Sequence, residues 1–281
     1  MQLCIYDMDL RVKYWNKGAQ ILYGWSSEEV MNQPVYKRLR QNQKSLKHAL
    51  AVLLQDGEWK GEVVKKHKNG SELIVESHWT LMRDVSGKPK SIFSINSDIT
   101  LRVSAENEVR KLAFYDVLTG LPNRRLLLDR IEHALSSTRR KLQYGAIVFI
   151  DLDNFKQLND TYGHDKGDIL LQEVAKRLKT CVRDIDTVAR FGGDEFVILI
   201  EDLSPDLSQA KVHVKVVAGK ILQALNTPFD FDGYSHTSTP SMGVAMFNRH
   251  SNSVEELLKQ ADIAMYQSKN AGRNRMTFYS D

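Results

Sequence analysis

The sequence contains few cysteines and no long apolar run. These two absences argue against a disulfide-rich, a zinc-binding and a membrane-spanning protein. Cys4 and Cys181 are the only two cysteines among 281 residues, and they stand far apart in no CxxC arrangement. They imply neither a disulfide framework nor a zinc site, and they favour a reducing compartment. No apolar run approaches the ~20 residues that span a bilayer, and the N-terminus lacks the layout of a signal peptide. We therefore expect a soluble, cytoplasmic chain with no membrane partner.

A strong excess of one charge is also absent. Lysine and arginine number 39 against 35 aspartates and glutamates, so the net charge is +4 and the pI is near 8.9. A nucleic-acid binder typically carries a dense basic stripe, so no nucleic-acid partner is expected. The length is long for one domain and comfortable for two.

The first hundred residues predict strands with short helices between them. Runs at 3–7 and 11–16 flank a turn, and Ser26 precedes a helix start with acidic residues in its first turn. Turns at 68–70 and 86–88 separate alternating runs, as in an antiparallel meander. This pattern predicts an α+β unit of sensor size. Its first strand begins almost at Met1, so we expect that a lead-in segment is missing.

This segment resembles a PAS domain. The resemblance is carried, in order, by Trp15-Asn16, Gly24-Trp25, Lys68-Asn69-Gly70 and Asp98-Ile99-Thr100. PAS domains bind haem, flavin, small metabolites or nothing, and the ligand here stays unknown. His48 is a candidate haem ligand, although a lone histidine in an amphipathic helix is more often a packing or surface residue. Cys4 does not lie in the helical middle, where a photoactive flavin domain would carry its cysteine.

Residues 101–115 predict a helical linker between two domains. A heptad-like spacing of 4-3-4-3 joins Leu101, Ala105, Glu108, Leu112 and Tyr115. This helix is either a dimer-forming linker or a plain surface helix.

Residues 116–281 alternate helices and strands in a second pattern. We predict helices at 124–137, 167–181, 207–225 and 254–270, a strand at 144–150, a hairpin around Gly192, and a strand pair formed by Phe229 and residues 241–247. The order predicts an α+β sheet with its helices on one face.

Carboxylates collect at two predicted strand ends in this half. Asp151 and Asp153 follow one apolar run, and Asp194 and Glu195 follow Gly192-Gly193 in a tight turn. Gly-Gly-Asp also suits a plain hairpin. If the two strands are neighbours, however, the acids meet at one edge, and their repulsion is relieved by a hard divalent cation.

The same half resembles the GGDEF domain of diguanylate cyclases. Five segments match in order: 116–125 (DVLTGLPNRR), 151–160 (DLDNFKQLND), 163–168 (GHDKGD), 190–196 (RFGGDEF) and 269–274 (KNAGRN). The resemblance implies the palm-like fold of nucleotidyl cyclases. It also implies condensation of two GTP molecules into cyclic di-GMP and two pyrophosphates by a homodimer.

The resemblance also implies roles for individual residues. Asp151, the Leu152 carbonyl, Asp194 and Glu195 match the ligands of Mg²⁺ or Mn²⁺, and Asp194 and Glu195 match the catalytic acids. The matching substrate positions are Asn159, His164, Asp168, Lys156, Gly192, Gly193, Lys269 and Arg273. Asn159 and Asp168 would hold guanine, whose N1–H and N2–H donors suit a carboxylate, and Lys269 and Arg273 would contact the triphosphate.

An RxxD sequence, Arg183 to Asp186, precedes the glycine turn. In the family this placement marks an inhibitory site for cyclic di-GMP, whereas elsewhere RxxD is usually a surface ion pair. The resemblance thus implies a cyclase that is regulated by its PAS domain and inhibited by its product. The alternative is a non-catalytic nucleotide-sensing module that regulates a phosphodiesterase domain outside this chain.

Overall fold

The computed structural model describes residues 2–231, 234–250 and 253–280. The chain divides into two compact units, residues 1–109 and 110–281. The domain boundaries expected above, at 100 and 116, stay a proposal. Within the described ranges, no helix combines the length and apolar character needed to cross a bilayer.

The first unit is one antiparallel sheet with short helices. Its elements are β1 (Gln2–Asp7), β2 (Val12–Trp15), α1 (Lys17–Tyr23), α2 (Ser27–Val30), α3 (Val35–Arg38), α4 (Gln43–Asp56), β3 (Glu58–Lys66), β4 (Glu72–Arg83) and β5 (Pro89–Asp98). The strand order is β2-β1-β5-β4-β3, and every pair is antiparallel. The predicted meander is therefore confirmed as β3-β4-β5.

Local sequence explains where these helices begin and end. Ser26 and Glu29 form a capping box at the start of α2, which satisfies two backbone amides that the helix leaves free. Asn16 and Asn42 cap α1 and α4, and each of these helices ends at a glycine with positive φ. The helix start predicted at Ser26 is confirmed.

A helix α5 (Thr100–Phe114) follows the first sheet and has no buried residue. The large apolar side chains on the predicted heptad positions, Leu101, Leu112 and Tyr115, are exposed. This exposure is compatible with both alternatives for the linker.

The second unit contains a five-stranded sheet. Its elements are α6 (Arg124–Lys141), β6 (Tyr144–Leu152), α7 (Phe155–Tyr162), α8 (His164–Cys181), β7 (Thr187–Gly192), β8 (Glu195–Leu203), α9 (Leu207–Asn226), β9 (Phe229–Phe231), β10 (Tyr234–His236), β11 (Pro240–Phe247), α10 (Val254–Asn270) and β12 (Arg275–Phe278). The strand order is β12-β11-β6-β8-β7, in which only the described pair β11–β12 is parallel.

Helices cover both faces of this sheet, so the prediction of helices on one face is wrong. Alternate residues of β6 enter different cores. Val148 and Ile150 pack in the core shared with α8 and α9, whereas Ile147 and Phe149 pack in the core shared with α6 and α10. The unbroken apolar run of β6 is the pattern that burial on both faces produces, whereas a strand with one exposed face would alternate apolar and polar residues.

Two further details differ from the sequence prediction. The helix α7 contains the substrate positions Lys156 and Asn159. It was not predicted, because it is only eight residues long and mostly polar. Phe229–Phe231 pairs with Tyr234–His236 in a separate ribbon and not with residues 241–247.

Candidate functional site

The acidic residues lie at one edge of the second sheet. Asp151 is the last residue but one of β6 and is the direct cross-strand neighbour of Glu195, the first residue of β8. Asp194 lies in the two-residue turn between β7 and β8. The folding of β6 against β8 therefore brings three carboxylates together from two separate segments.

The pKa values of two of these acids reflect the crowding. Burial is the largest cause that raises the pKa of Asp151, and Asp194 and Asp153 add to it, while Lys269 opposes the rise. Burial likewise raises the pKa of Glu195, followed by repulsion from Asp151 and Asp194. A part-buried place that concentrates negative charge favours a cation among the carboxylates.

Lys269 at the end of α10 already supplies one positive charge. Its Nζ atom lies 2.8 Å from Asp151 Oδ2. This proximity depends on close packing, because a side chain at Gly243 in β11 would collide with the backbone of α10 at Ala261 and Met265. The position expected to contact triphosphate therefore lies beside the position expected to bind metal.

Within the described ranges, no three His, Cys, Asp or Glu side chains are placed as a ready coordination set. The types of donor nevertheless suit Mg²⁺ or Mn²⁺, which prefer carboxylate and carbonyl oxygens. The amide of Asp153 donates to the Thr239 carbonyl on the β11 side, at 2.8 Å. Backbone alternation therefore directs the Leu152 carbonyl to the opposite side, toward the Asp194 turn. The oxygen donors present are therefore of the type that binds a hard cation. In this structure Asp151 is paired with Lys269 instead.

Asp153 does not join this acidic edge. The strand β6 ends at Leu152, so the alternation of side chains along a strand does not bring Asp153 to the side of Asp151. The Asp153 carboxylate instead accepts hydrogen bonds from the hydroxyls of Thr239 and Ser241, at 2.6 and 2.7 Å.

The expected guanine-binding residues lie on α7 and α8, whose contact depends on Gly167. A Cβ atom at Gly167 would collide with Asn159 Oδ1, so a larger residue would push the Asn159 side chain out of this position. The Oδ1 atom of Asn159 is buried and has no hydrogen-bond partner within the described part of the chain. A buried acceptor without a donor is costly, and a ligand that offers an N–H would satisfy it. Asp168 and His164 are exposed on α8.

The other expected substrate positions lie on the surface near these elements. Lys156 is exposed on α7, and Arg273 is exposed in the turn that follows α10. Gly192 and Gly193 face open space, and Gly193 has a φ of +49°, which favours glycine.

An arginine clamp holds the glycine turn, and no role for it was derived from the sequence. The Arg190 guanidinium donates to the Gly193 carbonyl at 2.8 and 3.0 Å and to the Asp116 carboxylate at 3.1 and 3.2 Å. Arg190 and Asp116 both belong to the matched motifs quoted above. The motif match identifies both residues in the sequence. It does not indicate that they are in contact, because 74 residues separate them.

Two family models match this chain. Residues 113–275 match the diguanylate cyclase GGDEF domain, and residues 3–99 match the PAS fold. The chain belongs to the GGDEF family. Both resemblances stated from the sequence are thereby confirmed, together with the fold class of a PAS-type sheet followed by a GGDEF unit.

Several known proteins are similar to this PAS–GGDEF chain. The probable diguanylate cyclase DgcE of Escherichia coli is 30% identical over 99% of the chain and 25% of its own length. The cyclic di-GMP phosphodiesterase NbdA of Pseudomonas aeruginosa is 40% identical over 63% and 22%. The coiled-coil and GGDEF domain structure of DgcB from Caulobacter crescentus, in complex with c-di-GMP, has a TM-score of 0.56 at 28% identity, covering 63% of this chain and 91% of that one. The chain spans about a quarter of the length of the first curated relatives it matches.

The RxxD residues of the GGDEF unit form an internal ion pair. Arg183 donates from Nε and from its terminal nitrogen to Asp186, at 3.1 and 2.9 Å. Asp186 also accepts from the backbone amides of Arg183 and Glu201, and its side chain is fully buried. Asp186 is therefore occupied within the chain, whereas the Arg183 side chain is 42% exposed and keeps donors on its outer side.

The PAS unit contains a buried polar network and, among its described residues, a small apolar recess. The buried Lys65 ammonium donates to Tyr23, Ser77 and Asn96 at 3.1 to 3.5 Å. A cavity of about 20 Å³ is lined by Tyr6, Leu10, Tyr36, Leu46 and Trp79. This cavity has room for a water molecule but not for haem or flavin. The candidate haem ligand His48 is exposed on α4, so it does not reach this interior.

Proposed function

We propose that the GGDEF unit is a diguanylate cyclase that condenses two GTP molecules into cyclic di-GMP and two pyrophosphates. The observation that carries the proposal is the pairing of Asp151 with Glu195 beside the Asp194 turn, within the residues 113–275 that match the family model. In the reaction, each 3′-oxygen attacks the α-phosphorus of the other GTP. The bond from that phosphorus to pyrophosphate breaks, and the 3′-hydroxyl proton leaves. In this proposal the carboxylate of Asp194 takes that proton.

In this proposal Asp151, Asp194, Glu195 and the Leu152 carbonyl hold Mg²⁺ or Mn²⁺. Such an ion offsets the charge of phosphate oxygens and of the attacking oxygen. The raised pKa values of Asp151 and Glu195 support this assignment, because crowded carboxylates gain most from a cation. Lys269 would then exchange Asp151 for phosphate oxygens, with Arg273 and Lys156 as further cations.

Guanine is assigned to Asn159 and Asp168. The partnerless Asn159 Oδ1 supports this assignment, since guanine offers N–H donors where adenine offers fewer. A site built to receive these donors rejects an analogue that lacks them. His164, at the start of α8, is assigned to the same substrate.

One chain supplies one half-site in this scheme. Because the product joins two GTP molecules symmetrically, two copies must face each other, so we propose a homodimer in which α5 is the linker. The PAS unit regulates this arrangement, with a ligand that stays unknown. GTP as substrate favours a cytoplasmic location.

Product inhibition through Arg183 and Asp186 is part of the proposal. The exposed guanidinium of Arg183 supports it, because a planar fork suits phosphate or a purine edge. Asp186 is already occupied by its ion pair with Arg183. We therefore propose that Arg183 contacts the product and that Asp186 orients the Arg183 side chain.

A second candidate function is a nucleotide-sensing module without catalysis. Two observations favour it: the similar protein NbdA carries the name of a phosphodiesterase, and Asp151 is paired with Lys269. In that case the GGDEF unit binds GTP and regulates a partner domain.

Incubation of the protein with GTP and Mg²⁺, followed by chromatographic separation of the products, tests the choice. A cyclase forms cyclic di-GMP and pyrophosphate in a 1:2 ratio, and a folded Asp194→Ala variant forms neither. GTP binding without turnover in the wild type would select the sensing module. Product formation by the Asp194→Ala variant would refute the catalytic assignment.

A further inference from the structure

Asp153 lies buried where three distant segments of the GGDEF unit meet. Its carboxylate accepts from Thr239 Oγ1 and Ser241 Oγ at the start of β11, at 2.6 and 2.7 Å. It also accepts from the backbone amide of Asn274, at 3.2 Å, in the turn between α10 and β12. Its own amide donates to the Thr239 carbonyl. This one side chain therefore joins the end of β6 to β11 and to the α10–β12 turn.

That turn has an unusual backbone that needs support. Arg273 and Asn274 have φ values of +61° and +47°, which are two consecutive left-handed residues without glycine. Such residues cost of order 1–3 kcal/mol each and persist where neighbouring structure fixes them. The bond from the Asn274 amide to Asp153 is one such constraint. The Arg273 Nε atom also lies 3.9 Å from Asp153 Oδ1, within ion-pair distance.

The two cations assigned to triphosphate lie in and just before this turn. Lys269 lies at the end of α10, with Nζ 2.8 Å from Asp151, and Arg273 lies four residues later. Asp153 is two residues from Asp151, but its oxygens are occupied by the hydroxyls and the turn. Asp153 is therefore bonded to the turn that contains Arg273, and its hydrogen bonds do not involve the residues of the acidic edge.

We propose that Asp153 is a positioning residue whose buried carboxylate fixes the α10–β12 turn, so that Lys269 and Arg273 are held in place for the triphosphate of GTP. The inference rests on the proposed function for its ligand. It assigns Asp153 to triphosphate binding and not to metal binding or proton transfer.

Hydrogen-bond chemistry indicates which substitution is informative. In Asp153→Asn the amide oxygen can still accept from Thr239 and Asn274, and the Ser241 hydroxyl can turn to accept from the new NH₂ group. That NH₂ group would, however, face the Arg273 guanidinium, where two donors repel each other. The variant should therefore stay folded and lose the attraction that holds Arg273. Asp129→Asn, at an exposed acid on α6, is the matched control.

The test compares the affinities of guanosine and of GTP by calorimetry on the full chain with Mg²⁺. GTP is supplied as its α,β-methylene analogue, which cannot release pyrophosphate, so that no turnover disturbs the measurement. We expect Asp153→Asn to bind GTP about tenfold more weakly, to bind guanosine like the wild type, and to melt within a few degrees of it. Adding Arg273→Ala to this variant should cost less than Arg273→Ala costs alone, as for two residues in contact. Asp129→Asn should match the wild type.

A second measurement is independent of nucleotide. The rate at which Lys269 reacts with an amine-acylating reagent, followed by mass spectrometry, should rise in Asp153→Asn, because the turn no longer holds Lys269 against Asp151. Equal weakening of GTP and guanosine, an unchanged GTP affinity, or an unchanged Lys269 reaction rate would overturn the proposal. A wild type that binds GTP but makes no cyclic di-GMP would refute the cyclase function and leave this comparison intact. A wild type that binds no GTP would refute both.

Discussion

Asp168 is exposed on α8, one residue after the glycine that lets α8 approach Asn159. As an acceptor for guanine it should discriminate against adenine. We expect Asp168→Ala to weaken GTP binding about 10- to 100-fold, the range for a hydrogen bond to a charged group, and to leave weak ATP binding unchanged. Competition binding with both nucleotides measures this. Asp165→Ala, at another exposed acid of the same helix, is the control, and an equal loss for both nucleotides would contradict the guanine contact.

Lys65 predicts a pH dependence for the stability of the PAS unit. Burial lowers its pKa from 10.5 to about 8, with Cys4 partly opposing this change, so the folded state binds fewer protons than the unfolded state between those values. The free energy of unfolding should therefore rise with pH from about 8, by about 1 kcal/mol per pH unit. Above pH 9 the rise should be offset, because burial raises the pKa of Cys4 from 9.0 to about 11 and the unfolded thiol ionises first. Above pH 10 the raised pKa values of Tyr6 and Tyr23 act in the same direction.

Urea unfolding followed by tryptophan fluorescence measures this effect, since all four tryptophans lie in the first hundred residues. Lys65→Met should remove the rise between pH 8 and 9, whereas Lys60→Met, at an exposed lysine of the same strand, should keep it. A rise that persists in Lys65→Met would assign the effect to another group.

Arg183 tests product inhibition. Arg183→Ala should weaken inhibition by added cyclic di-GMP at least tenfold and leave the initial rate near that of the wild type. Because Asp186 is buried against Arg183, Arg183→Lys should keep the local charge and still lose the planar fork. Initial rates against product concentration, with Asp184→Ala as control, decide the matter. Equal inhibition curves would reduce the RxxD to a structural ion pair.

At the scale of elements, the β7–β8 hairpin is held to residues 116–122 by the Arg190 clamp. Asp116→Asn should loosen the turn that carries Asp194, so we expect the rate of synthesis to fall about tenfold or more with little change in GTP affinity, as for a misplaced reacting group. Single-turnover rates and equilibrium binding separate the two quantities. Asp202→Asn, which breaks the surface ion pair with Lys141, is the matched control. A loss confined to GTP affinity would contradict a positioning role.

Elements whose signals are local were predicted from the sequence, and those that depend on distant contacts were not. The capping box at Ser26 and the strand at 144–150 are readable within a few residues. The pairing of Phe229–Phe231 was wrong, because nothing nearby fixes the partner of a three-residue strand. The same distinction holds in the site, where Asp151, Asp194 and Glu195 were identified in adjacent motifs. The burial of Asp153 and the Asp116–Arg190 clamp require tertiary contacts that no spacing reveals.

At the scale of the whole molecule, the proposed half-site makes catalysis depend on protein concentration. Specific activity should fall on dilution below the dissociation constant of the dimer, because a single chain holds one GTP. Adding excess Asp194→Ala protein should lower the specific activity of the wild type further, because the two proteins form mixed dimers. Initial rates over a wide dilution series, compared with the mass measured in solution, test this. Activity strictly proportional to protein concentration at every dilution would contradict the need for two chains.

The contacts of Asp153 also set an order of events in biosynthesis. Its partners lie 86, 88 and 121 residues further along the chain. A ribosome must therefore make nearly the whole second unit before this carboxylate is satisfied, and closing such long loops slows folding. The nucleotide site should accordingly be absent from nascent chains until the turn at 271–274 has emerged.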